Sequence, residues 1–280
     1  MRVTKRWKLP LAAAVAAGLI LVALAGCGGG GESGGGGAES AALSEGDQEF
    51  VRILGAQAAF IAKVNEQLGF CEENAMCLRS VGPMVESAVD SAAATASRAL
   101  ADVDDECSRD FGRTHLQTLR ALKAAGAAAT DRNLADVRAA GDRAFELGLR
   151  GRENLFACRA DELQDDDAGQ ATRQFGAGSI ETRRITRRLT LCEEPACISK
   201  EAAALERASR EAIASTESLL QMVDEGCVRD GLEAGLEVFK SYREAALSVQ
   251  EADFDAAEAS FLRAVEEEAR SSAILLSCAP

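Results

Sequence analysis

The chain has 280 residues, of which 45 are acidic and 31 basic, so its formal net charge is −14 at pH 7. A surface with this excess of negative charge repels the phosphates of nucleic acids and anionic lipid headgroups. The composition therefore argues against nucleic-acid binding. The charge either keeps the protein soluble or attracts basic partners and cations.

The N-terminal residues 1–26 have the pattern of an export signal. Four basic residues come first, at positions 2, 5, 6 and 8, and an uninterrupted apolar stretch extends from Leu9 to Gly26. The stretch ends in Leu24-Ala25-Gly26-Cys27, which resembles the lipobox of bacterial lipoproteins. The resemblance covers residues 1–27 only. It implies that Cys27 receives diacylglycerol, becomes the first residue after cleavage, and anchors the protein to the extracytoplasmic face of a membrane. The alternative is an uncleaved transmembrane helix, because the apolar stretch approaches the roughly 20 residues that a span needs.

Residues 27–44 are predicted to be the lipidated cysteine and a flexible tether. Residues 28–40 read GGGGESGGGGAES, and Gly/Ser-rich segments behave as random coils. Thirteen such residues would hold a folded body roughly 20 Å from the membrane on average. Loss of residues 1–26 removes four basic residues and no acidic one, so the formal net charge would change from −14 to −18.

The remaining residues are predicted to be all-α. Alanine, glutamate, arginine and leucine dominate, and runs of β-branched and aromatic residues are absent. The only tryptophan, Trp7, falls within the signal, and Tyr242 is the only tyrosine. Ala, Leu, Arg and Glu are among the strongest helix formers, so helices are expected throughout.

Cysteine spacing indicates that this helical part is duplicated. Cys77, Cys107 and Cys158 recur 120 residues later as Cys197, Cys227 and Cys278. The preceding cysteines, Cys71 and Cys192, are offset by 121 because the loop CEENAMC has shortened to CEEPAC. We therefore predict two tandem repeats, residues 45–160 and 161–280, with an inter-repeat linker within 161–170.

Each repeat is predicted to be an antiparallel four-helix bundle. In the second repeat, apolar or small residues follow one another at alternating four- and three-residue steps, which places them on one face of a helix. They are Ile198, Ala202, Leu205, Ser209, Ala212, Thr216, Leu219 and Val223. Short connections favour an up-down-up-down arrangement, and Pro83 is expected at a helix start, where proline is tolerated.

Helix geometry selects one disulfide pairing from the three that four cysteines allow. The 30 residues between Cys77 and Cys107 would form a helix roughly 40 Å long, whereas a disulfide needs Cα atoms within about 7 Å. Cysteines at the same end of each bundle must therefore pair, which predicts Cys71–Cys77, Cys107–Cys158, Cys192–Cys197 and Cys227–Cys278. The alternative is metal ligation, but the spacings differ from the C-x2-C pairs of zinc sites and export favours oxidation. We predict no metal site and no cofactor.

No catalytic constellation is visible. His115 is the only histidine, its counterpart in the second repeat is Gly235, and no Glu-x-x-His pattern accompanies it, so a surface position is predicted. Asp104, Arg109 and Asp110 recur in the second repeat and are expected to form ion pairs around the second disulfide. The pairs Glu72-Glu73 and Glu193-Glu194 lie where a helix start favours carboxylates.

These observations lead to one functional hypothesis and one alternative. The hypothesis is a non-enzymatic lipoprotein of the cell envelope, attached to the membrane by its lipid, whose helical repeats form a binding or scaffold surface for another envelope protein. The alternative is a solute- or cation-binding module with its pocket between the two repeats.

Overall fold

A computed structural model describes residues 74–163, 166–224 and 226–277, together with Gly46, Glu49, Phe50, Ile53, Gln57 and Cys71. These ranges hold seven α-helices and no strand, which confirms the all-α prediction. The helices are α1 (Ala75–Ala99), α2 (Glu106–Thr130), α3 (Leu134–Glu162), α4 (Asp166–Thr190), α5 (Pro195–Leu220), α6 (Cys227–Gln250) and α7 (Phe254–Ser277). None of the helices in this part of the chain is long and apolar enough to cross a membrane. Cys27, with the predicted signal and tether, lies outside the described residues.

Side-chain caps set where the helices of the first half begin. The Asn74 side chain accepts hydrogen bonds from the backbone N–H groups of Met76 and Cys77 at the start of α1. Asp105 caps α2 through the N–H of Ser108, and Asn133 caps α3. Each cap satisfies a backbone donor that has no partner within the helix. In the second half, Pro195 opens α5, a position where its missing N–H leaves no hydrogen bond unmade.

The prediction that Pro83 marks a helix start is wrong. Pro83 lies inside α1, which the Asn74 cap has already initiated. Proline in a helix interior removes one backbone hydrogen bond. Gly82, beside it, allows close packing, because a Cβ atom there would lie only 2.6 Å from both Gly126 O and Thr130 N of α2.

Helices α4–α7 form an antiparallel four-helix bundle around one core. Consecutive helices are joined by short connections and pack along their length. All four contribute buried residues to the core, among them Leu189, Leu205, Tyr242 and Phe261. The helical face predicted for α5 faces inward, since every residue of that series is buried or half-buried. In the first half, α1–α3 pack in the same order, and most of the segment preceding Cys71 lies outside the described residues.

The two halves share a core at their junction. Its buried members include Phe111 and Phe156 from the first half, and Phe175 and Phe239 from the second. The Phe156 and Phe175 rings meet edge to face with centroids 5.8 Å apart, and Phe175 lies 5.6 Å from Phe239. Because apolar burial is the main stabilising term in folding, the halves are held together as one packed body.

The linker predicted within residues 161–170 is much shorter than expected. Helix α3 continues to Glu162 and α4 begins at Asp166, so only residues 163–165 connect the halves. The Asp-rich stretch DELQDDDAG is therefore mostly helix ends. Its acidic residues at the start of α4 suit the positive end of the helix dipole.

Three disulfides join the cysteine pairs that helix geometry had selected. Their Cα–Cα distances are 5.2, 5.7 and 5.4 Å for Cys71–Cys77, Cys107–Cys158 and Cys192–Cys197. Cys227 is also disulfide-bonded, while its predicted partner Cys278 lies outside the described residues.

Candidate functional site

A cluster of buried polar side chains lies at the junction of the two halves. Its centre is Glu268 of α7, which is fully buried. Glu268 Oε1 lies 2.9 Å from Arg152 Nη2 of α3 and 2.6 Å from Arg183 Nε of α4. The Tyr242 hydroxyl donates to Oε2 over 3.2 Å, and the Ser179 hydroxyl donates to Oε1. Four helices thus meet at one carboxylate.

Electrostatics keep this cluster ionised near neutral pH. Burial alone would raise the pKa of Glu268, but the adjacent guanidinium groups of Arg183 and Arg152 outweigh it and hold the pKa below its usual range. Burial lowers the pKa of Arg152 to about 10 and raises the pKa of Tyr242. The pKa of Arg152 stays well above 7, and the pKa values of Glu268 and Tyr242 move away from 7, where a general acid or base works best. The cluster links α3 of the first half to α4, α6 and α7 of the second half.

The sequence repeat gave no sign of this cluster because its charged members are not duplicated. At the 120-residue offset Arg152 corresponds to Ser272, and Glu268 corresponds to Gly148. Charged residues are rarely fully buried unless paired, so a helical pattern places them on the surface. The only sign of the cluster in the sequence is a difference between the repeats, in which a charged residue of one half corresponds to a small residue of the other.

A groove opens on the surface of the second half, between α4 and α5. Small residues line both walls, with Ala177 and Gly178 on α4 and Ala208 and Ala212 on α5, and the buried ring of Phe239 from α6 lies beneath. A Cβ atom on Gly178 would lie 3.1 Å from Phe239 Cζ and 3.4 Å from Ala212 Cβ. The cavity measures about 310 Å³, at the small end of the range typical of ligand pockets.

Polar groups converge on this groove from both helices. The Ser215 hydroxyl donates to Gln174 Oε1 over 3.1 Å, which links α5 to α4 at one end. The carboxylates of Glu181 and Glu211 line the groove from opposite walls, and both side chains are exposed. The groove thus combines a negatively charged rim with an apolar floor. It lies within the second half, whereas the alternative hypothesis placed a pocket between the halves.

The prediction that His115 lies on the surface is wrong. Its side chain is buried and its Nε2 atom lies 2.7 Å from Gln57 Oε1. Gln57 Nε2 donates to Ala92 O over 2.7 Å, so Gln57 Oε1 must accept and His115 carries its proton on Nε2. Burial lowers the pKa of His115 to about 4. His115 is therefore a neutral core residue. A single histidine in a helical sequence gives no pattern from which its burial could be predicted.

The repeated arginines bind backbone carbonyl groups instead of forming the expected ion pairs around the disulfide. Arg109 Nη2 donates to Val103 O over 2.7 Å. Its counterpart Arg229 donates through Nη1 to Leu220 O over 2.7 Å and to Val223 O over 3.3 Å. Val103 and Val223 are themselves equivalent positions. The arginines thus tie the end of one helix to the start of the next, which explains their recurrence. Asp110 pairs instead with the exposed Arg113.

An ionic network lies beside the Cys107–Cys158 disulfide. The Arg159 guanidinium is buried and forms two parallel hydrogen bonds to Asp105, at 2.8 and 2.7 Å. Burial alone would raise the pKa of Asp105, but hydrogen bonds from Ser108 and the charge of Arg159 hold it below its usual range. Among the described residues, Cys107, Cys158 and Glu162 hold potential metal-ligand atoms close together. The two sulfur atoms are bonded to each other, so the thiolates that a metal would need are absent.

The other predicted residues contribute no further site in the described part of the chain. Glu72 and Glu73 lie outside it, and Glu194 is exposed at the start of α5 without a side-chain capping bond. Comparison of the chain with protein-family models, curated proteins and solved structures finds no match.

Proposed function

We propose that this protein is a lipid-anchored, non-enzymatic binding protein of the cell envelope, and that the groove between α4 and α5 is its ligand-binding site. The observation that carries the proposal is the groove itself, in which polar groups from two helices converge over an apolar floor. Pockets with this combination are the usual form of small-molecule binding sites.

The rigid attachment of the groove to the rest of the body supports a role in binding. Glu268 joins the two halves through Arg152, and the aromatic core at the junction is shared between them. A groove on packed helices is preorganised, and preorganisation reduces the conformational cost of binding. A tether of Gly-rich sequence would let such a body sample the space near the membrane without changing its shape.

The N-terminal residues support the proposed location. The basic segment, the apolar stretch and the lipobox ending at Cys27 support export and lipid attachment. Two or more acyl chains hold a protein stably at a membrane, whereas one holds it only marginally. The disulfides support an oxidising, extracytoplasmic compartment.

The titratable groups support a non-enzymatic role. His115 is buried and neutral, and the Glu268 carboxylate is enclosed by two arginines. A general acid or base must reach the proton that it transfers, and neither of these groups opens to the groove. The groove is also lined by the hydroxyl groups of Ser215 and Thr216. They donate to Gln174 Oε1 and to Ala212 O, so neither hydroxyl donates to the Glu181 or Glu211 carboxylate, which would have to act as its base.

Native mass spectrometry of the full chain, isolated from its own membranes in mild detergent, tests this proposal. We expect a small molecule bound at one per protein, and its loss from an Ala177→Trp variant, because the indole would fill the groove from an exposed position. The matched control is Ala135→Trp at an exposed position of α3, which should keep the ligand. A ligand that Ala177→Trp retains, or a stoichiometric protein partner in place of a ligand, would contradict the groove as the binding site.

A further inference from the structure

Because the sequence is duplicated, the residues of the groove can be compared with their counterparts in the first half. Gln57 in the first half corresponds to Gly178 in the second, at the 121-residue offset that holds before the cysteine loops. Gln57 extends its side chain to Ala92 O of α1 and to His115 of α2. The counterparts of Ala92 and His115 are Ala212 and Gly235. The second half thus has no polar side chain where the first half has two.

The helical carbonyl group at this level accepts an additional side-chain hydrogen bond from a different source in each half. In the first half Ala92 O accepts a hydrogen bond from Gln57, whereas in the second Ala212 O accepts one from the Thr216 hydroxyl on its own helix, over 2.8 Å. No side chain needs to cross from α4 to α5, and the space beside Gly178 stays open as the groove. The groove beside Gly178 therefore lacks the side-chain bridge that Gln57 makes in the first half.

The rim carboxylates lack the ion pairs that neighbouring carboxylates form. On α5, Glu201 pairs with Arg188 and Glu206 pairs with Arg210. Glu181 and Glu211 form no ion pair with any residue that the structure describes. Two exposed carboxylates on facing walls make the groove a site of concentrated negative charge in a protein whose net charge is already −14, and they favour a cationic ligand.

The shape and lining of the groove point to an organic cation instead of a metal ion. Calcium takes six to eight oxygen ligands, and Glu181 and Glu211 are the only carboxylates in the lining. The floor is apolar, with Phe239 lining the groove together with Ala208 and Ala212. A methylene chain fits such a surface, because it removes apolar area from water.

We propose that the groove binds a free aliphatic amine with two or more ammonium groups, its methylene chain lying over Phe239 and its ammonium groups at Glu181 and Glu211. This inference rests on the proposed function and names the ligand class for the same site. A lysine-rich segment of a partner protein would offer the same ammonium chemistry. The cavity of about 310 Å³, across which Ser215 is hydrogen-bonded to Gln174, favours the small free molecule.

Isothermal titration calorimetry of the full chain in detergent, with 1,5-diaminopentane and spermidine as probes at low and physiological salt, tests this inference. We expect saturable one-to-one binding that persists at physiological salt. Glu181→Gln with Glu211→Gln should weaken it at least tenfold, and Ala177→Trp should abolish it. The matched control is Glu146→Gln with Glu153→Gln, two exposed carboxylates of α3, which removes the same charge and should change the affinity less than twofold.

Three results would overturn the inference. Equal weakening by the control pair would mean that the amines respond only to net charge. Absence of saturable amine binding would remove the ligand class, and the proposed function would still stand if native protein carried another ligand that Ala177→Trp displaced. Tighter, groove-dependent binding of a lysine-rich peptide than of either amine would assign the groove to a protein partner instead of a free amine.

Discussion

Arg152 and Ser272 occupy equivalent positions in the two halves, 120 residues apart, and their side chains meet in the core, where Arg152 Nη2 donates to Ser272 Oγ over 3.0 Å. Equivalent residues come into contact where two copies of a structure face each other across a two-fold relationship. The contact is chemically asymmetric, because arginine faces serine and the nearby Glu268 has glycine as its counterpart. Divergence of the two halves has thus placed the Arg152–Glu268 ion pair at their junction.

Removal of the Glu268 charge should be far more destabilising than removal of Arg152. Glu268→Gln leaves two buried guanidinium groups without a carboxylate, and loss of one partner from a buried pair costs about 3–5 kcal/mol. Arg152→Met leaves Glu268 paired with Arg183 and should cost less than about 2 kcal/mol. Urea unfolding of the two variants measures the difference. Arg263→Met, which removes an exposed ion pair with Glu244, should cost below about 1 kcal/mol. Equal costs for Arg152→Met and Glu268→Gln would contradict the central position of the carboxylate.

Two glycine-to-alanine substitutions should have opposite effects on stability. At Gly82 the new methyl group would lie 2.6 Å from backbone atoms of α2, so the helices must separate at a cost of about 1–3 kcal/mol. At Gly141 in α3 the methyl group would meet nothing within 4 Å, and the gain in helix propensity should stabilise by about 0.5–1 kcal/mol. Both substitutions gain the same helix propensity. The difference between the melting temperatures of the two variants therefore measures the effect of the contact between Gly82 and α2. Stabilisation by Gly82→Ala would show that α1 and α2 are not closely packed there.

Burial of His115 should make the folded state sensitive to mild acid. Its pKa is about 4 in the folded protein and about 6.5 when unfolded. Between these values the unfolded state binds more protons, so the contribution of His115 to stability is constant above about pH 6.5 and falls as the pH decreases toward 4. The loss at pH 4.5 should be about 2.5 kcal/mol.

The matched variant for this pH dependence is His115→Gln, which removes the titrating group and keeps a side chain that can bond to Gln57. Denaturant unfolding at pH 7 and pH 4.5 should show a smaller decrease in the variant than in the parent protein. Asp105 and Glu268, whose pKa values are lowered by their partners, also contribute stability that is lost as the pH falls, and this loss is common to both proteins. An identical decrease in the two proteins would contradict the neutral, buried state of His115.

The fold was accessible from sequence because it depends on periodic signals. The spacing of the cysteines and the apolar series from Ile198 to Val223 predicted helices, their antiparallel order and the three disulfides in the described residues. The junction and the groove depend on single residues that break the repeat: Arg152 against Ser272, and Gly178 against Gln57. Such exceptions become informative only after the structure shows which side chains meet. Burial of a lone charged residue or histidine has no periodic signature.

The repeated arginines should contribute similarly to stability in both halves. Arg109→Ala and Arg229→Ala each remove hydrogen bonds to carbonyl groups in the connection before their helix, and Arg229→Ala also removes one to the end of α5. Each should lower the free energy of unfolding by about 1–2 kcal/mol, to which the partly exposed ion pair of Arg229 with Glu233 adds less than about 1 kcal/mol. Arg113→Ala, which removes an exposed pair with Asp110, should have an effect below about 0.5 kcal/mol. Chemical denaturation of the three variants checks this. A cost at Arg109 no larger than at Arg113 would mean that the carbonyl contacts do not stabilise the loop.

Mass spectrometry of the N-terminal peptide tests the proposed function most directly, because a tethered binding protein must first reach the outer side of a membrane. The protein should be recovered from the membrane fraction, and its first residue should be Cys27 carrying a diacylglycerol adduct. Substitution of Cys27 by alanine should leave the chain unprocessed or release it from the membrane. An unmodified N-terminal peptide that includes residues before Cys27, recovered from the same membrane fraction, would contradict lipid anchoring.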